Sequence, residues 1–346
     1  MDIYTTVPVL DLHHPTEMFR ELEADGFDGA FTYETRHDPF LPLAAAAGAT
    51  DRIRLGTAVA IAFARNPLLV ATIARDLQAM ARGRFVLGLG TQIRPHIERR
   101  YSMPWSHPAS RLREFVQAIR AIWNAWDGRG PLDVRGEFYT HTLMPPAFSQ
   151  GPVEEAWPPV WLGGVGPRLT AVAAEVGDGI LVHPFATRDS LTRLTLPAVE
   201  ESLVRHGRDR RSLQVIVVVM IATGNTGPEL DAAVGAVRSQ IAFYGSTPAY
   251  APILAQSGWE DLHPQLHALS RQGRWDEMTA LISDEVLESI AVVGRRDQIA
   301  PRIRAKVEGV ADAVSLECTR NPDPLRFADI CLELRGSLNG LPPPGP

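Results

Sequence analysis

A closed barrel of eight parallel strands, each followed by a helix, is the fold class the sequence predicts, and three observations predict it. Short β-branched runs alternate with longer amphipathic segments along almost the whole chain, which are the periodicities of strands and helices. Eight strand candidates occur in strand-then-helix order, the pattern of parallel βαβ units and the count of a closed (β/α)8 TIM barrel. The competing doubly wound sheet lacks its usual signature. No G-x-G-x-x-G follows the first strand, and no G-x-x-x-x-G-K-[ST] occurs anywhere.

The elements follow in order. Residues 3–8 read as the first strand and 15–24 as the first helix, with Pro15 in its first turn. The second unit is a strand at 29–34 and a helix at 40–49, the third a strand at 53–61 and a helix at 67–81. Residues 84–90 form the fourth strand and 110–126 a long helix. Strands at 160–163 and 179–183 flank a helix that Pro167 begins. A strand at 213–222 precedes a helix at 229–243, and the last strand, 313–318, leads into a closing helix that ends at Arg335.

The chain has 346 residues, 45% hydrophobic and 21% charged, an ordinary globular composition that excludes collagen, long disorder and a small disulfide scaffold. A barrel of this kind needs ~250 residues, so residues 1–335 are expected to form one barrel domain with insertions around 103–159 and 245–284. The first insertion is rich in Pro, Trp and Gly at its outer parts and alternates like a hairpin around Gly136. The second holds Trp259, His263, His267 and Trp275. Insertions that follow strands land on the active-site face, which makes both candidate substrate lids. Gly336 is placed to end the last helix, leaving 336–346 as an unstructured tail.

A net charge of −6 gives the chain no general pull on nucleic acid or on an anionic membrane. The longest strongly apolar run, 215–222, is too short to span a bilayer, and the first residues lack the regions of a signal peptide. A cytoplasmic protein acting on a small molecule is expected. Cys318 and Cys331 read as reduced core thiols, too few for a cysteine-rich zinc site. His13-His14 lacks the H-x-H spacing of a barrel metal hydrolase, so no metal is assigned. Lys306, the sole lysine, lies too late in the chain to be a Schiff-base residue on an inner strand. Neither a G-x-S-x-G elbow nor an H-E-x-x-H helix occurs.

Barrel chemistry sits where strands end. The second strand ends at Glu34, a carboxylate, with His37 the titratable group nearby and Asp38 placed to cap the next helix. The third ends among small residues from Gly56 to Ala64, which suit close approach of a flat ring or tight barrel packing, followed by Arg65 and Asn66. The fourth ends at Gly90. The fifth unit, Leu162-Gly163-Gly164-Val165-Gly166-Pro167-Arg168, passes through glycines straight into a helix. Exposed peptide N–H groups and the helix dipole there suit a phosphate, although a tight turn alone would also explain the glycines. His183 ends the neighbouring sixth strand.

These strand ends resemble one family. The stretches 29–39, 53–67, Gly-Arg-Phe-Val-Leu-Gly-Leu-Gly at 83–90 and 161–185, with Gly-Asp-Gly-Ile at 177–180, resemble the luciferase-like monooxygenase superfamily, most of all its coenzyme F420-dependent oxidoreductases. The resemblance runs from the first strand to about Arg335. It implies a barrel, usually a homodimer, with a deazaflavin or flavin at the strand C-termini and hydride transfer at C5 of the deazaflavin. It further implies that a bulge at Ala58-Val59, often containing a non-prolyl cis peptide, backs the ring, and that residues 163–168 bind the phosphate. Glu34 matches the family's acidic residue after strand two. Several F420-dependent members carry a histidine directly after it, where this chain has Thr35; His37 is the candidate replacement. The expected function is F420-dependent oxidoreduction, with Glu34 or His37 moving the proton. Ala58, Val59, Arg65, Asn66, Gly90, Gly163, Gly164, Val165, Gly166, Arg168 and His183 are expected to hold the cofactor. A reduced-FMN monooxygenase and a non-catalytic deazaflavin-binding protein are the alternatives.

Overall fold

The computed structural model describes residues 1–8, 15–317 and 327–338. Its main strands are β1 (Asp2–Val7), β2 (Gly29–Thr32), β3 (Arg54–Thr57), β4 (Phe85–Gly90), β5 (Val160–Gly164), β6 (Gly179–Val182), β7 (Gln214–Ala222) and β8 (Ala313–Glu317). Each pairs in parallel with the next, and β8 pairs back on β1, so the sheet closes into the predicted barrel. Helices α1 (Pro15–Ala24), α2 (Phe40–Ala47), α3 (Pro67–Met80), α4 (Pro108–Trp126), α5 (Pro167–Val176) and α6 (Leu196–Arg205) follow the first six strands. After β7 come α7 (Gly227–Gly245), four short helices between residues 251 and 290, and α8 (Arg296–Val307); α9 (Ala328–Leu338) comes last.

The lower barrel interior is built by pairing aromatic side chains with glycines. Tyr4, Phe31 and Trp161 meet with ring centroids 5.1 to 5.5 Å apart. Each lies in register beside a glycine of the next strand: Tyr4 with Gly29, Phe31 with Gly56, Trp161 with Gly179. A Cβ on those glycines would come within 2.9, 2.6 and 2.5 Å of the aromatic atoms. The glycines are therefore required by close packing, which admits no overlap of this size.

Several boundaries differ from the sequence reading. The strand expected at 29–34 stops at Thr32, because Ala58 N–H donates to Thr32 O and Glu34 N–H donates to Val59 O, across a bulge. That bulge also splits the strand expected at 53–61 into β3 and a two-residue strand, Ala60–Ile61, paired with β4. Helix α7 begins two residues early, where the Thr226 side chain accepts from Glu229 N–H. Gly336 does not end α9, which runs on to Leu338. His13, His14, Cys318 and residues 339–346 lie outside the described residues.

The two expected insertions part company. Residues 127–159 follow a helix and precede β5, so they belong to the face opposite the strand C-termini and are not a lid. Their contacts confirm this placement against the helical layer. Trp157 stacks on Trp123 at 5.0 Å and lies 4.4 Å from the Arg75 guanidinium, while Gln78 Nε2 donates to Ala156 O. The expected hairpin is present, Val134–Arg135 against Thr140–His141, held by the Glu114 carboxylate accepting from the N–H groups of Glu137, Phe138 and Tyr139. Residues 245–284 instead stay over the ends of β6 and β7, where a second apolar cluster joins Phe185 and Met220 to Leu254, Leu266 and Met278.

Lys306 ties this upper layer to the barrel wall: its Nζ donates to Ala186 O and to Ser289 O, both at 2.9 Å. Burial pushes the amine down to about 8, so between that pH and the ordinary lysine value the unfolded chain binds the extra proton. Stability should therefore rise with pH through this window, at up to about 1.4 kcal/mol per pH unit. In urea unfolding from pH 7.5 to 10, the difference between wild type and Lys306→Met should grow with pH; a constant difference would deny the shift.

Candidate active site

The site is organised by the bulge between β3 and the Ala60–Ile61 strand, which contains a cis peptide at Ala58-Val59. Its Val59 side chain occupies the space that a Cβ would need at Gly90 and at Gly163, 2.6 and 2.9 Å away. At Gly88 a Cβ would come within 1.7 Å of Thr57 O. The glycines of β4 and β5 thus admit the bulge. The small residues from Gly56 to Ala64 suit either a flat ring or tight barrel packing on sequence grounds; in the structure Val59 fills the space beside Gly90 and Gly163.

A set of charged and hydrogen-bonded groups holds the bulge from the β2 side. Glu34 Oε2 accepts from Ile61 N–H at 2.8 Å and from Arg65 Nη1 at 2.5 Å, and Tyr101 Oη donates to Glu34 Oε1 at 3.3 Å. Arg65 also reaches Asp38 at 2.9 Å and Ile61 O at 3.2 Å. Burial opposes the charge on Arg65, but Glu34 and Asp38 outweigh it and raise its proton affinity. The Glu34 carboxylate therefore has three donors and acts as a brace. Asn66 is exposed and caps α3, accepting from Leu68 N–H. Asp38 accepts from Phe40 N–H at 2.9 Å, the capping contact the sequence predicts. His37 is half-buried with no hydrogen bond to a described residue, and exposed Thr35 offers its carbonyl to the Arg100 guanidinium.

The fifth strand delivers the second half of the site. β5 runs through Gly164, Val165 and Gly166 into α5, with Pro167 at its start. Gly166 has φ +86°, a conformation L side chains rarely adopt, and a Cβ on Gly164 would meet Leu169 at 2.6 Å. A cavity of about 40 Å³ lies behind this turn, lined by residues 164–166, Thr170, His183 and Ser190 among others. Room for about three waters is also room for one small polyatomic group. Arg168 stands exposed on the first turn of α5, with no ion pair to a described residue.

His183 forms the far wall. Its Nδ1 accepts from Phe185 N–H at 3.1 Å and its Nε2 lies 2.9 Å from Tyr250 Oη. Burial pushes the imidazole down to about 3, so the ring is neutral at ordinary pH. The structure thus brings Ala58, Val59, Gly90 and Gly163 into one group, Glu34 and Arg65 behind it, and Gly164, Val165, Gly166 and His183 around the cavity. Asn66 and His37 stay at the margin. Sequence reasoning missed Tyr101 and Tyr250: neither lies at a strand end, and no spacing rule links them to Glu34 or His183. Among the described residues no group of three His, Cys, Asp or Glu side chains converges as a metal would need, and no helix is long and apolar enough to cross a membrane.

The barrel has known counterparts. The luciferase-like monooxygenase family matches residues 2–313. The chain belongs to that family. Members similar to it include an uncharacterized protein of Mycobacterium tuberculosis, 54% identical over 293 residues, covering 85% of this chain and 86% of that one. A second M. tuberculosis member, a putative coenzyme F420-dependent oxidoreductase, is 29% identical over 296 residues, covering 82% and 84%. Among solved structures, the coenzyme F420-dependent tetrahydromethanopterin reductase of Methanopyrus kandleri has the same fold, with a TM-score of 0.78 at 18% identity over 97% of this chain and 99% of that one. Family members are oxidoreductases and monooxygenases that take a deazaflavin or flavin and a small-molecule substrate.

The neutral His183 carries a measurable consequence. Between about pH 6.5 and its folded value near 3, the unfolded chain binds a proton that the folded chain refuses. Stability should therefore be lost as the pH falls through this window, by up to about 1.4 kcal/mol per unit. His183→Asn keeps an acceptor for Phe185 N–H and removes the titration. Chemical unfolding from pH 7 to 4.5 should show a shallower acid loss in the variant; parallel curves would refute a neutral buried imidazole.

Proposed function

We propose that this protein is an F420-dependent oxidoreductase, passing a hydride between C5 of the deazaflavin and a small organic substrate. The observation that carries the reading is the donor set at the β5–α5 turn. The cavity there is walled by peptide groups and by the neutral side chains of Thr170, Ser190 and Thr195, with a single guanidinium, Arg168, on the adjoining helical turn. The Thr170 and Ser190 hydroxyls already donate to Gly166 O and Thr187 O, which leaves one positive charge beside a neutral wall. That suits the singly charged phosphodiester of F420, whereas the doubly charged terminal phosphate of FMN would keep an uncompensated charge. The F420-dependent relative supports the same choice.

The residues divide the work. Gly164, Val165, Gly166 and Arg168 hold the phosphate, the α5 N-terminus adding positive potential. Ala58 and Val59 present an apolar ledge to the ring, with Gly90 and Gly163 seating that ledge and Arg65 and Glu34 keeping it in place. His37, at the β2 end and with no hydrogen bond to a described residue, is assigned the proton transfer. The deazaflavin supplies the hydride chemistry, and the protein supplies orientation and exclusion of water. A cytoplasmic homodimer is part of this reading, following the family's usual assembly.

Parallel fluorescence titrations with oxidised F420 and with FMN test it. F420 should bind at least about tenfold more tightly, a difference of about 1.4 kcal/mol. Tighter FMN binding, with oxygen uptake dependent on reduced FMN, would move the protein to the monooxygenase reading that the family also contains.

A further inference from the structure

A buried amine lies outside the chemistry proposed above. Lys306 is the only lysine of the chain and sits on α8, in the helical layer. It lines an open cavity of about 500 Å³, bounded by residues 187–189, Ser257, Trp259, the short helix Asp284–Ile290 and α8. This cavity shares no lining residue with the one behind the β5–α5 turn.

An amine nitrogen has four tetrahedral positions. In Lys306 one carries Cε, and two hydrogens donate to Ala186 O and Ser289 O, both at 2.9 Å. No described residue meets the fourth, and Ser289 itself lines the cavity. The backbone around the amine is held as well: Arg188 donates to Ala305 O, Lys306 O and Glu308 O at 2.9 to 3.0 Å. Burial disfavours the ammonium form. In the neutral amine the fourth position is a lone pair, and an uncharged lysine is a nucleophile.

The charges at the rim narrow the choice of electrophile. Arg188, Asp189, Glu285, Glu288 and Arg302 are exposed around the opening. Arg188 is committed to the α8 carbonyls and Arg302 donates to Val293 O, whereas Glu285 and Glu288 make no ion pair with a described residue. A carbamate formed from carbon dioxide would set a new anion beside these carboxylates; an amide is neutral.

We infer that Lys306 is an acylation site, its fourth position facing this cavity and taking an acyl group from a small activated donor, an acyl phosphate or an acyl thioester. The lone pair attacks the carbonyl carbon. The C–N bond forms as the bond from that carbon to the leaving oxygen or sulfur breaks, and the displaced proton goes to the leaving group. Nothing is oxidised or reduced. The amide keeps one N–H, so only one of Ala186 O and Ser289 O keeps its donor, and the tie between the upper layer and the barrel wall is weakened. The site does not depend on which cofactor the barrel mouth takes.

Folded protein at pH 8 is incubated with acetyl phosphate and, separately, with acetyl-coenzyme A, and acetylation is followed by peptide mass spectrometry. With one lysine in the chain, every acetyl-lysine reports this site. With at least one donor, Lys306 should react about tenfold faster in the folded protein than in protein unfolded in guanidinium chloride, where the ordinary lysine pKa keeps the amine protonated. The donor that reacts faster identifies the source. Ala305→Trp fills the cavity from an exposed position of α8; it should slow Lys306 about tenfold and leave the N-terminal amine, the internal reference, unchanged. Acetylation no faster in the folded protein than in the unfolded one, with both donors, overturns the inference. So does a folded Ala305→Trp variant that reacts as wild type does. The comparison of folded with unfolded protein needs no variant, so it decides the matter if Ala305→Trp does not fold.

Discussion

The candidate site depends on one steric constraint: the Val59 side chain must occupy the space left by two missing Cβ atoms, at Gly90 and Gly163. Remove that space and the bulge between β3 and Ala60–Ile61 has nowhere to go. The bulge is also what stops β2 at Thr32 and turns Glu34 toward Ile61 N–H and Arg65. Glycines on β4 and β5, a carboxylate after β2 and an arginine after β3 are thus a single arrangement. Interiors packed to this density respond to an added methyl by moving backbone, so the shape of the mouth depends on two glycines that offer a ligand no side chain.

The two sides of the mouth differ in character. The β2–β3 side is ionic and fully paired, with Glu34, Arg65 and Asp38 saturating one another. Breaking such a pair leaves an uncompensated charge in a partly buried place, which is costly; these residues hold shape. The β5–β6 side is neutral, with peptide groups, hydroxyls and an uncharged imidazole around a small cavity. A neutral wall can receive an anion without first giving up an ion pair. Shape is kept on one side of the mouth, and the other is the side to which the proposed function assigns a ligand's charge.

Much of this was legible in the residues. The alternation of strands and helices and the glycine-to-proline turn at 163–167 place the barrel and the β5–α5 turn without coordinates. Asp38 and the hairpin around Gly136 were readable from turn and capping chemistry. What was not legible has physical reasons. Gly90 and Gly163 signal close approach, but a sequence does not say whether a ring or a valine approaches. Residues 103–159 look like a lid because they are long and rich in Pro and Trp; only the position of 127–159 after a helix assigns that part to the other face. Asn66 looks unexplained beside Arg65 until its side chain is seen closing the first turn of α3. Tyr101 and Tyr250 are joined to the site by hydrogen bonds across 67 residues each, distances over which no local pattern operates.

The most direct test of this account is a crystal structure of the protein grown with F420. The account predicts the ring against Val59 and the phosphate within hydrogen-bond reach of the peptide N–H groups at 164–166. Density for the cofactor elsewhere, or a ring with its phosphate directed away from the glycine turn, would contradict it.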